Sequence, residues 1–267
     1  MKRILFGLVI FSVFSLTACE KKLDSPGEIQ GMGDTPGDLQ VKESFKLPQG
    51  IHLIGEIKGS DAPYAKAGEK QQVIYDAKSS YPCYGSGRAV RLQLTMLNTG
   101  NYPRTVFFPK GLLWKCKYGS FQHGLQAQTT WVCLQPNSSR TIFIDLYCLN
   151  LGIPGPDQTA NYSILGVTNS KVLWNLLNLI GWRKVNYEML YGTFKAGKGT
   201  EDGPSYEEIT EKLQAIVHNL TNNGIDITAE DKAFIESIPE LAVSEIPQLD
   251  INLQYPEYFN EFVVPVK

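Results

Sequence analysis

The apolar positions of this chain change their spacing twice. Residues 4–16 form an almost unbroken apolar run, residues 51–149 alternate in short stretches, and apolar positions after residue 170 recur at helical intervals. The alternation is clearest in Ala89–Leu97, where Val90, Leu92, Leu94 and Met96 share one face and Arg91, Gln93 and Thr95 the other. That is the pattern of a half-buried strand. Further strands are predicted over 51–59, with Leu53, Ile54 and Ile57, and over 71–76, with Val73, Ile74 and Tyr75. Thr105–Phe108 makes another, closed by Pro109 and Gly111, and Thr129–Leu134 and Thr141–Leu149 form a pair around the turn Pro136-Asn137-Ser138-Ser139. Turn-rich segments separate them, at Ser79–Gly87 and Asn98–Asn101.

Short strands alternating with turns predict an antiparallel β-sandwich over residues 51–169, either immunoglobulin-like or of the thioester-domain type that a resemblance given below implies. A helical annex over 170–243 follows. Ser170 caps a segment through Leu173, Trp174, Leu177 and Ile180 that Gly181 ends. Ser205-Tyr206-Glu207-Glu208 is a capping box, and Ile209, Leu213, Ile216, Val217 and Leu220 form one stripe after it, up to Asn222-Asn223-Gly224. A third helix starts at Thr228 with Asp231 three residues on, buries Ala233, Phe234 and Ile238, and stops at Pro239. In the tail, 244–267, Leu249, Ile251 and Leu253 alternate and predict a returning strand. The expected fold class is therefore mainly β with a helical annex (α+β).

The N-terminus has a different logic. Lys2 and Arg3 precede the apolar run, and Thr17 and Ala18 lead to Cys19. Charge, apolar core and small-residue site in that order make residues 1–18 a secretory signal peptide. The run is shorter than the roughly 20 residues a spanning helix needs. Leu16-Thr17-Ala18-Cys19 resembles the lipobox of bacterial lipoproteins. The resemblance implies cleavage before Cys19 and acylation of that cysteine, so that the mature chain is anchored to a membrane without spanning it. Residues 19–50, rich in Gly, Pro, Asp, Glu and Lys, are expected to be a flexible tether. Glu20 after the cysteine is compatible with the outer membrane, so the expected location is the cell envelope, facing either the periplasm or the outside.

Composition narrows the partners. With 25 basic and 27 acidic residues and no sustained basic run, nucleic acid is excluded as a partner. Besides Cys19 there remain Cys83, Cys116, Cys133 and Cys148, an even set that allows two disulfides in three connectivities. His52, His123 and His218 are scattered, and no cysteine pair has zinc-site spacing, so no metal is expected and no cofactor beyond the lipid. No serine sits in a Gly-x-Ser-x-Gly elbow, and Gly85-Ser86-Gly87 reads as a turn, as does the end of Cys133-Leu134-Gln135. No catalytic motif is found.

Two segments stand out. Asp145-Leu146-Tyr147-Cys148-Leu149-Asn150 ends a strand before Pro154 and Pro156, and Gln214-Ala215-Ile216-Val217 lies on a helix before Thr221-Asn222-Asn223-Gly224. Together they resemble the thioester domains of bacterial surface adhesins. The resemblance implies that Cys148 supplies a sulfur and Gln214 an acyl group, joined with loss of ammonia into an electrophile for a partner's amine. The match departs from the family at His218, which stands where a tryptophan is usual, and at Ala215, one residue early. Cys148 shares strand parity with Ile142, Ile144 and Leu146 and points to the core, whereas Gln214 falls at the flank of its helical stripe. Disulfide and thioester compete for Cys148. The functional expectation is a lipid-anchored binding or adhesion module for a protein or glycan. An exported hydrolase with a cleft between sandwich and helices, or a structural envelope component, are the alternatives.

Overall fold

The computed structural model describes residues 24–60, 82–191, 203–242 and 245. The segment expected to be a signal peptide, Cys19, the strand expected at 71–76 and the alternating positions of the tail lie outside the described residues. The elements in chain order are β1 (Asp24–Ser25), β2 (Glu28–Ile29), β3 (Val41–Ser44), β4 (Ile51–Ser60), β5 (Cys83–Gly85), β6 (Val90–Asn98), β7 (Arg104–Phe108) and β8 (Leu112–Cys116). They continue with β9 (Gly124–Leu125), β10 (Thr130–Leu134), β11 (Ser138–Cys148), β12 (Asn161–Thr168), α1 (Lys171–Ile180), α2 (Tyr187–Tyr191), α3 (Tyr206–His218) and α4 (Ala229–Ser237). A π-helical turn, Asn219–Asn223, extends α3.

The expected sandwich is not what forms. Strands β12, β4, β6, β11, β9 and β8 pair antiparallel in that order, and β8 pairs back onto β12, so the sheet closes into a barrel. The sandwich expectation fails on β12. That strand bonds β8 along one edge and β4 at Asn161 and Tyr162 along the other, joining what would have been two sheet edges. The pairing partners differ too. Consecutive β10 and β11 do not pair with each other: β10 joins β7 in a two-stranded ribbon and β11 joins β6. The architecture is a closed antiparallel barrel with added strands and helices.

Bulges let so few strands close. β4 slips register between Ile54 and Lys58, with Gly55 at φ 71, and β12 slips between Ile164 and Gly166. Bulges of this kind sharpen the bend of a strand. At Gly166 a side chain would place its Cβ 1.8 Å from the Glu43 carbonyl oxygen, so only glycine lets β3 pair there.

Alternation then sorts the residues. Val90, Leu92, Leu94 and Met96 of β6 and Ile142, Ile144, Leu146 and Cys148 of β11 point into the barrel with Trp114 and Tyr162. Burying each large apolar side chain stabilises the fold by roughly 1.5–3 kcal/mol. The β7–β10 ribbon packs Val106, Phe108, Val132 and Leu134 onto this same core. The opposite faces of β8, β9 and β11 carry Leu113, Leu125, Tyr147 and Leu149, which meet the buried stripes of α1 and α3 in a second core. Helix α1 is capped by Ser170 and ended by Gly181, and α3 and α4 begin with capping boxes at Ser205 and Thr228. In α4 the buried residues are Asp231 and Ile235, with Ile238 just beyond, while Ala233 is exposed.

Residues 24–50 are not a free tether. Ile29, Met32 and Leu39 are buried in the second core, and β3 adds to the sheet beside β12. The polar, glycine-rich composition reflects tight backbone turns there: Gly27, Gly31, Gly33 and Gly37 all have positive φ.

Candidate functional site

The end of β11 brings together the two residues of the thioester resemblance. Leu149 sends its backbone N–H to His123 O on the β9 side. Strand alternation therefore turns the N–H and C=O of Cys148 to the opposite edge. That edge belongs to β6 only as far as Val90, opposite Leu146. Gln214 takes up the vacant pairing. The Cys148 N–H donates to Gln214 Oε1 at 2.9 Å, and Gln214 Nε2 donates to Cys148 O at 3.0 Å. One carboxamide thus substitutes for the next strand, across 66 residues of sequence.

The sulfur is engaged elsewhere. Cys148 Sγ donates to Asn150 O at 3.3 Å and accepts from Asn150 N at 3.2 Å, with its side chain in the barrel core. Burial pushes this thiol up to about 12, so it is protonated at neutral pH. A protonated, inward-facing thiol is a poor nucleophile toward a carboxamide held on the backbone side.

A polar row of α3 runs along this seam. Glu211 pairs with Arg88 just before β6, Gln214 with Cys148, and Asn222 Oδ1 accepts from Leu151 N at 3.3 Å. The spacing i, i+3, i+11 keeps them on one helix face. His218 falls between the last two. Its buried Nε2 has no hydrogen-bond partner among the described residues, and burial lowers its pKa, which favours the neutral imidazole. The π-helical turn lets Thr221 and Asn222 stay on this face: Thr221 Oγ1 lies 2.9 Å from both Val217 O and Asn222 Oδ1, which share its one proton.

The four described cysteines are free thiols in three settings. Cys83 is buried on β5 and donates to Asp145 Oδ2 at 3.3 Å. Cys116 and Cys148 lie in the barrel core, and Cys133 is exposed on β10. The two-disulfide framework that their number allows is not present. Among the described residues no group of His, Cys, Asp and Glu is arranged to hold a metal ion.

A second polar cluster was not foreseen from the sequence. Asp145 of β11 and Arg91 of β6 form a buried ion pair, and Glu188 of α2 accepts from Gly85 N (2.8 Å), Thr130 Oγ1 (3.0 Å) and Asn186 Nδ2 (3.0 Å). Burial raises Glu188 to about 7 and raises Cys83 well above the usual thiol range, chiefly by desolvation with Asp145 adding to it. The cluster joins α2, β5, β6, β10 and β11, but its thiol is no nucleophile. The one sequence signal was Asp145 itself, a charge inside the apolar run Ile142–Leu149. A concavity of about 340 Å³ opens between β4 and β12, lined by Phe45, Leu47, Leu53, Ile57, Tyr162 and Ile164.

No family model, curated protein or solved structure matches the chain.

Proposed function

We propose that this chain is a lipid-anchored binding module of the cell envelope, related to thioester domains but using its cysteine–glutamine pair as a hydrogen-bonded clamp. The observation that carries the reading is the double hydrogen bond between the Gln214 carboxamide and the Cys148 backbone. The resemblance implied that these two residues meet, and they do so through the backbone of Cys148. In this reading Gln214 docks α3 on the barrel, Cys148 stays a thiol, and a protein or glycan partner is held without a covalent bond. Acylation of Cys19 supplies the anchor.

The intact mass of the mature protein, with and without methylamine, tests the clamp. The expected mass is that of the acylated chain with Cys83, Cys116, Cys133 and Cys148 as free thiols and no amine uptake. Loss of one ammonia, converted by methylamine to an adduct at Gln214, would overturn the clamp in favour of a reactive thioester. That second reading is favoured by the contact between the two residues, and it requires Cys148 Sγ to leave Asn150. The same spectrum of the membrane-extracted protein reads the anchor, as a chain beginning at acylated Cys19.

A further inference from the structure

The folded start of the domain lies directly over the candidate site. Asp24–Gln40 forms a strap whose Gly33 N donates to Leu149 O at 2.9 Å, and whose Gly33 O accepts from Asn150 Nδ2 at 3.3 Å. These are the two residues that follow Cys148. The strap also reaches the π-helical turn, where Gly27 N donates to Leu220 O at 2.8 Å. Contact there is backbone on backbone: a Cβ on Gly33 would stand 2.1 Å from Thr221 O, and one on Gly27 2.8 Å from Gly224. At its beginning, Asp24 accepts from Ser170 Oγ at 2.6 Å and from Lys171 N at 2.9 Å, at the start of α1.

The strap's position matters because of what precedes it. Only five Cα steps separate Cys19 from Asp24. They span at most about 18 Å, whereas a chain free as far as Gln40 would span about 75 Å. The strap is held by a hairpin of two two-residue strands, by backbone bonds at Gly27, Gly33 and Gln40, by the Asp38–Lys115 ion pair and by the side chains of Ile29, Met32 and Leu39. A segment held this way, without the long ladders that join the barrel strands, opens at lower cost than they do.

We propose that the strap is a latch coupling the lipid anchor to the Cys148–Gln214 junction. Seated, it holds the domain against the bilayer and covers Leu149 and Asn150. Lifted, it lengthens the tether about fourfold and uncovers the end of β11 in the same step. This inference rests on the lipid-anchor reading above.

The test uses the full mature protein in phosphatidylcholine–phosphatidylglycerol vesicles. A donor dye goes on the exposed Cys133, acceptor lipid into the bilayer, and iodoacetamide labelling of Cys148 is followed by mass mapping. Gly27→Val combined with Gly33→Val prevents seating. Energy transfer is expected to fall at least twofold and Cys148 labelling to rise at least tenfold, with the barrel's cooperative unfolding retained. A twenty-residue Gly/Ser insert before Asp24 should lower transfer equally and leave Cys148 protected. If the double glycine variant does not fold, Asp24→Ala carries the same expectation at smaller amplitude. A folded glycine variant or Asp24→Ala variant with unchanged transfer and unchanged labelling would overturn the latch. Failure of the anchor reading shows separately, as a mature mass without acyl groups and no vesicle binding, and removes the latch with it.

Discussion

Arg91 and Asp145 stand directly opposite each other on β6 and β11, and the guanidinium meets the carboxylate at two points. Nε donates to Oδ1 and Nη2 to Oδ2, both at 2.7 Å, while the Cys83 thiol donates to the same Oδ2. The pair lies on the face of the sheet away from the barrel interior, next to Phe143, whose ring centroid is 5.7 Å from the guanidinium carbon.

Removing one partner leaves the other's buried charge without its ion pair. Asp145→Asn or Arg91→Met is therefore expected to cost about 3–5 kcal/mol, whereas Arg91→Met with Asp145→Leu should recover most of that loss. Urea unfolding of the two single variants and the double variant measures it. A double variant as unstable as either single one would show that the pair is needed for more than mutual neutralisation.

The Glu188 carboxyl titrates near 7 in the folded protein against an ordinary value of 4.5. A raised carboxylate pKa means that the folded state takes up a proton in that interval which the unfolded state does not. Its contribution is thus most favourable below about pH 4.5, declines as pH rises to about 7, and is level above. The full span is on the order of 3 kcal/mol. Stability measured from pH 5 to 8 should carry this downward slope, and Glu188→Gln should remove it. A slope unchanged in the variant would assign it to another group.

Gln214→Ala strips both bonds from Cys148 and leaves a buried N–H and C=O unpaired, a loss of about 2–4 kcal/mol. Hydrogen exchange should then quicken at Cys148 and along α3, and much less along β4 and β6. Uniform acceleration across the domain would mean that the clamp is not what seats the helix.

How much of this could be read in advance depended on whether a signal was local. Ser170, Gly181 and the boxes at Ser205 and Thr228 marked the helix ends because a cap involves neighbours three residues apart. The inward parity of Cys148 and the flanking position of Gln214 followed from period alone. Barrel closure did not, because it depends on β12 pairing with both β8 and β4, and Asn161–Thr168 mixes polar and apolar residues without strict alternation. The partner of Asp145 needed the β6–β11 register. The strap was hidden because glycine and acidic residues, which usually mark an unfolded linker, here serve positive-φ turns and a helix cap at Asp24.

The thiols offer a direct check on the cysteine chemistry. Native protein is expected to react quickly at Cys133 alone, while Cys83 and Cys116 react only on unfolding and Cys148 only slowly, when the strap lifts or the barrel unfolds. Peptide mapping after a brief alkylation pulse reads this. No fast-reacting thiol, with cystine peptides in its place, would restore the disulfide framework.

Closure of the sheet also decides where a partner can touch this molecule. A ring of this few strands has no lumen: Trp114, Leu92, Leu94, Ile144 and Tyr162 fill its axis, each with almost no exposure. Recognition is therefore a matter of the outer wall and the rims. The Phe45–Leu53–Ile164 hollow and the seam under the strap are places where that wall is indented. A ligand that prefers this domain must be read by its skin, and loops can change there while the staves behind them stay as they are.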